Sequence, residues 1–248
     1  MKTAPLDRPS RPESGNGSLR TRKAHVQDHY SVASGDDREK GDLVPGGLNL
    51  PARRIAILVA TLFLVQMITA MIGSALVDAF VAGDAGRTTM TIGVLLAISA
   101  GVVVVGIGFL MYPVLKLVNK RLAAWYPAFR LLELTVATVG GIYLLAQLQE
   151  VPNYFLWLYI PTGIGGLIFT YLLFVSRLVP RPIGALGLVG YALLLLGVPL
   201  DLLGLLDMNS GPGLMLLVPG GLFEVVFLPI WLFAKGFRLP AAGATNRW

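Results

Sequence analysis

Six apolar runs, each long enough to cross a bilayer, alternate with short polar joints after residue 52. About 20 consecutive apolar residues, rising ~1.5 Å each, cross a hydrocarbon core of about 30 Å. The runs are Ile55–Val81, Thr89–Leu115, Leu122–Leu148, Tyr154–Ser176, Ile183–Leu206 and Gly213–Ala234. Backbone in lipid must satisfy its own N–H and C=O groups, and runs of this length do so as helices. The prediction is an all-α polytopic membrane protein, a bundle of six transmembrane helices whose short joints make successive helices antiparallel neighbours.

Composition agrees with this class. Charged residues make up 14% of the chain and hydrophobic residues 55%, with a mean hydropathy of +0.70. An ordinary soluble domain carries about 25% charged residues. Residues 1–52 differ from the rest: they are rich in Pro, Ser, Gly and mixed charge, with few large apolar side chains. Such a segment cannot bury enough surface to offset its ordering entropy. The domain reading is a disordered cytoplasmic tail at 1–52, a membrane domain at 53–238 and a short cytoplasmic C-terminal tail at 239–248. Cysteine is absent, and both histidines, His25 and His29, lie in the tail. Disulfides, thiolate sites and histidine-based metal or acid–base chemistry are thereby unavailable to the spans. No metal or cofactor is implied.

Orientation follows from the joints. Arg53 and Arg54 precede the first span, Lys116, Lys120 and Arg121 separate the second from the third, Arg177 and Arg181 the fourth from the fifth, and Lys235 and Arg238 follow the sixth. The alternate joints carry Arg87 with Asp84, Glu150 and Asp207. Basic joints stay on the cytoplasmic side, so both termini are expected there, with the protein multi-pass in the cell (inner, cytoplasmic) membrane. The same placement explains the net charge of +6 without nucleic acid as a partner. The bilayer is the expected partner. Gly93, Ala97 and Gly101, with Ala70 and Ser74, form small-residue faces that suit packing inside the bundle or a homo-oligomer. The tail could engage another protein.

Arg130, Glu133 and Glu224 fall near the middle of the third and sixth spans. A charge at mid-bilayer is expensive and faces a partner or a watery cavity. Arg130 and Glu133 are three residues apart and share one helix face. Glu224 has the same depth. One guanidinium, whose charge is not lost in practice, then faces two carboxylates. The functional reading is a small-molecule or ion site, substrate-binding or proton-exchanging, in a binding or transport protein. The alternative is a structural clamp in which Arg130 ties the third span to the sixth, in a membrane scaffold or accessory subunit. Pro219, Gly220 and Gly221 precede Glu224 and mark a helix break, and Pro161 in the Pro161–Gly166 stretch marks another. Asp78 and Asp201 lie near outer span ends, exposed to water or to an outward vestibule. Gln66 is a polar spot suited to interhelical hydrogen bonding. No catalytic constellation appears, so no catalytic residue is assigned and an enzyme is disfavoured.

Three stretches share a pattern. They are Met111-Tyr112-Pro113 through Asn119 to Tyr126-Pro127-Ala128-Phe129-Arg130-Leu131-Leu132-Glu133; Tyr171 to Arg181; and Glu224 with Trp231 and Lys235-Gly236-Phe237. In order and spacing they resemble the bacterial membrane-protein family catalogued as domain of unknown function 4386, over about residues 53–238. The resemblance implies the six-span fold and places Arg130, Glu133 and Glu224 in one framework. It carries no activity. Pro182 departs from the family pattern, where a bulkier apolar or aromatic residue is expected.

Overall fold

A computed structural model describes residues 51–238, which fall within one unit, Leu43–Trp248. The two tails expected at 1–52 and 239–248 lie almost wholly outside the described residues. Every regular element among the described residues is a helix. The first five are α1 (Ala52–Val81), α2 (Arg87–Leu115), α3 (Lys120–Gln147), α4 (Tyr154–Ser176) and α5 (Arg181–Leu202). The last span is divided into a 3₁₀ stretch at Gly211–Leu216, α6 at Val218–Leu222, a π-helical turn at Phe223–Phe227 and α7 at Leu228–Ala234. Six spans, counting the divided one as a whole, are long and apolar enough to cross a membrane.

Local chemistry sets the ends. The Asn119 side chain accepts the N–H groups of Arg121 and Leu122 at 3.0 and 3.1 Å, so α3 begins at Lys120 rather than at Leu122. Pro182 occupies the first turn of α5, where its missing N–H has no helical partner to lose. The fifth span stops at Leu202 instead of Leu206, because Gly204 turns into the left-handed region with φ +70°. Asp201 then accepts the Met208 N–H at 2.7 Å and anchors the turn that follows.

The spans form a ring. Each helix packs on its neighbours in the chain, and the last span closes the ring against α1 through its Phe223–Ala234 portion. Both described ends meet at one end of the bundle, where the Arg238 N–H donates to the Leu178 carbonyl at 2.9 Å. Close approaches use glycine. A β-carbon on Gly73 would lie 2.9 Å from the Gly93 carbonyl oxygen, and one on Gly93 2.8 Å from that of Gly73. Gly93 and Ala97 therefore serve contact between α1 and α2, whereas Gly101 faces Leu134 of α3.

Packing is uneven along the axis. The main core is built from the beginning of α1, the end of α2, the beginning of α3, the end of α4 and the end of the last span. All of these lie in the half nearest the described ends, Pro51 and Arg238. The far half holds two small clusters, Met90–Val94–Leu144 and Leu156–Val198–Met208. Between them the bundle is hollow.

Candidate functional site in the hollow of the ring

Arg130 and Glu133 stand one turn apart on α3. Arg130 Nη1 donates to Glu133 Oε2 at 2.6 Å, with the two side chains 3% and 14% exposed. Two glycines make the slot for the arginine. Gly108 of α2 faces its Cγ, and Gly165 of α4 faces its Nε, which has no hydrogen-bond partner. The guanidinium lies 5.2 Å from the Tyr126 ring centroid, a cation–π distance, and the Tyr126 hydroxyl is also buried without a partner.

Glu224 lies in the π-helical turn. Its carboxylate accepts a short hydrogen bond from the Tyr191 hydroxyl of α5. The Tyr191 ring sits in a notch at Gly166, where any β-carbon would strike the ring. The extra residue in a π turn shifts side chains relative to an α-helix, and such turns recur at functional sites. The three expected residues thus come to one place in an unexpected way. Arg130 pairs within its own helix, Glu224 pairs with α5, and no salt bridge joins Arg130 to Glu224. The ionic tie between the third and sixth spans is absent.

What unites them is space. A cavity of about 280 Å³ is lined by Arg130, Glu133 and Glu224 together with Tyr126, Tyr191 and Gln66. A second cavity, about 150 Å³, continues toward the far end past Glu133 and Gln66 to Asp78 and Glu150. Gln66, 8% exposed, borders both; its amide meets only the Met67 thioether, at 3.9 Å. At the mouth, burial and the neighbouring Asp78 charge push the Glu150 carboxyl above its ordinary range. On the adjoining loop, hydrogen bonds from Ser210 and Asn209 hold Asp207 below its own. Among the described residues no three His, Cys, Asp or Glu converge to hold a metal ion.

Of the expected helix breaks, Pro219, Gly220 and Gly221 lie in α6, immediately before the π turn. Pro161 lies inside α4, which runs continuously from Tyr154 to Ser176. The glycines after it leave the helix intact and open notches on its surface. Tyr126 and Tyr191 were not among the expected site residues, because a tyrosine in an apolar run carries no charge to mark it. For Tyr191 the one sequence signal was Gly166, whose missing side chain leaves room for a neighbouring ring.

A ring of transmembrane helices around a polar cavity defines the class: a polytopic helical membrane protein with a charged centre inside the bilayer span. The model of the family described as Domain of unknown function (DUF4386) matches residues 58–154 and 140–236. Together these segments cover most of the chain, and the protein belongs to that family. Comparison with curated proteins and with solved structures found no match.

Proposed function

We propose that the protein binds a small solute in the central cavity, in a transport or sensing role, and that Glu224 exchanges a proton as it does so. The observation that carries this reading is the cavity of about 280 Å³ that gathers one guanidinium and two carboxylates without neutralising all three. Ligand sites run from about 300 Å³ upward, so the occupant is small. Arg130 is fixed in charge and already engaged by Glu133, so it sets the local field. Glu224 has a single neutral donor, Tyr191, and one oxygen without a hydrogen bond, so it is the group able to take and release a proton. Its π turn gives the backbone room to adjust. Basic joints at the end of the bundle that holds Pro51 and Arg238 support cytoplasmic termini in the cell membrane.

The test is carbodiimide labelling of the protein in membranes across pH, read by residue with mass spectrometry. A hydrophobic carbodiimide modifies protonated carboxyls from within the bilayer. Labelling of Glu224 that falls as pH rises through a single transition supports the reading. If Glu224 never labels while the fold persists, the centre is a fixed structural cluster, as in a scaffold.

A further inference from the structure

The two cavities share a wall of Gln66, Val104, Glu133 and Leu158, and their charge is one-sided. From the far end inward the ionisable groups are Asp78 and Glu150 at the mouth, Glu133 at the junction and Glu224 at the centre. Among the described residues lining the two cavities the only basic group is Arg130, and its Nη1 is committed to Glu133. Asp78 and Glu150 make no ion pair with a described residue. Gln66, more than nine-tenths buried, presents at the junction a carboxamide whose oxygen has no hydrogen-bond partner. Most of the remaining lining is aliphatic or aromatic, including Val77, Val94, Leu144 and Phe155.

Toward the described ends, Pro51 and Arg238, the central cavity is closed by aromatic rings. Phe169 stacks on Tyr126 at 4.9 Å and on Phe63 at 6.0 Å, and it meets Phe223 edge-on at 6.4 Å. Tyr191 completes this floor against Phe223 at 6.4 Å. Phe169 and Phe223 are fully buried. The far cavity, past Asp78 and Glu150, offers a solute an approach to the centre from the other side.

We infer that the far cavity is a cation-selecting vestibule and that the central site takes a small organic cation with an apolar body, an alkylammonium in chemical class. This deepens the reading of the centre as a binding site and rests on it. A cleft of one charge sign with low-dielectric walls concentrates counter-ions and can raise their on-rates by about 10–10³. An anion meets carboxylates in both cavities. A neutral solute leaves the excess negative charge unanswered, whereas an ammonium answers it at Glu224, which lines the central cavity. The aliphatic lining suits its alkyl part.

The test uses three molecules of one shape and different charge: tert-butylammonium, tert-butanol and pivalate. Binding to the full chain in nanodiscs is measured by equilibrium dialysis and by protection of Glu224 from carbodiimide. The expected result is saturable tert-butylammonium binding at least tenfold tighter than tert-butanol, with no pivalate bound. Equal binding of the three, preference for pivalate or no ammonium binding overturns the inference. If Glu224 still titrates in that case, the proton-exchanging centre survives; if it does not, both fall. A second measurement is independent of the centre. The chain has no cysteine, so Ser74→Cys, on the vestibule wall, can be challenged with cationic and anionic methanethiosulfonates. The cationic reagent should react at least tenfold faster, and the preference should collapse in an Asp78→Asn/Glu150→Gln background. Equal rates at Ser74→Cys overturn the vestibule.

Discussion

Gly166→Ala tests how the fold holds the Glu224 carboxylate. A β-carbon at 166 falls well inside 3 Å of the Tyr191 ring, whose hydroxyl donates to Glu224. Carbon atoms pack at about 3.5–4.0 Å, so the ring must retreat by roughly 1 Å or more. A hydrogen bond stretched by that amount is lost. Overpacking costs about 1–3 kcal/mol, and losing a hydrogen bond to a charged group about 1.5–3 kcal/mol. Alanine's better helix propensity returns at most about 1 kcal/mol. Gly166→Ala is thus expected to destabilise by roughly 2–5 kcal/mol. Tyr191→Phe removes the hydrogen bond without the clash and should cost about 1.5–3 kcal/mol. In the Gly166→Ala background, Tyr191→Phe should cost almost nothing, because the bond is already broken. The double-mutant cycle then gives a coupling of about 1.5–3 kcal/mol. Unfolding by sodium dodecyl sulfate in mixed micelles, followed by tryptophan fluorescence, reads all four proteins. Additivity within about 0.5 kcal/mol would refute the claim that Gly166 places Tyr191 on Glu224.

Three further outcomes follow from the same geometry. Gly190 lies against the Gly220 backbone, well under 3 Å from where its β-carbon would stand, while a β-carbon on Gly221 meets nothing within 4 Å. Gly190→Ala should therefore destabilise by at least about 1–3 kcal/mol and Gly221→Ala should be neutral or slightly stabilising in the same micelle assay. The Trp231 indole N–H is buried without a partner, so Trp231→Phe should be tolerated or stabilising, and a loss above about 2 kcal/mol would show an unrecognised acceptor. The Glu150 carboxyl is raised first by burial and then by Asp78. A raised carboxyl binds its proton more tightly in the folded protein, so its contribution is full below the unfolded value and is lost as pH rises through the folded one. Asp78→Asn should lower the Glu150 transition in part and flatten that loss, as followed by residue-resolved carbodiimide labelling and thermal unfolding across pH.

The spans were legible because lipid imposes one rule on every residue in them. Tyr154–Ser176 was placed to the residue, and the other starts moved by a few positions through devices such as the Asn119 cap. Leu203-Gly204-Leu205-Leu206 reads as a continuation of α5 by hydropathy, yet Gly204 has already turned the chain. The 3₁₀ and π segments of the last span were legible only as an interruption near Pro219-Gly220-Gly221, because hydropathy is blind to which helix a short apolar stretch adopts. Arg130, Glu133 and Glu224 stood out since charge is rare in such runs. Their partners did not, because spacing along one chain shows that Glu133 lies a turn from Arg130 but not that Tyr191 stands against Glu224. Pro161 misled for a related reason. Proline and glycine permit a break, and neighbouring helices decide whether they break the helix or receive a side chain.

The hollow half of the bundle follows from the interrupted span. In a membrane, helices gain little from burying apolar surface against each other, so association depends on close packing. α1 packs on Phe223–Ala234, the second half of the last span, and has no comparable contact with Gly211–Leu222. The 3₁₀ stretch there rises about 2.0 Å per residue against 1.5 Å in an α-helix and lines its length with fewer side chains. Gly211, Gly213, Gly220 and Gly221 contribute none at all. Leu217, Gly220 and Gly221 of that stretch line the central cavity and fill little of it, whereas aromatic rings close the side toward Phe169 and Phe223. The sequence that places Glu224 in the bilayer therefore also leaves space in front of it. That space is what the proposed solute site requires.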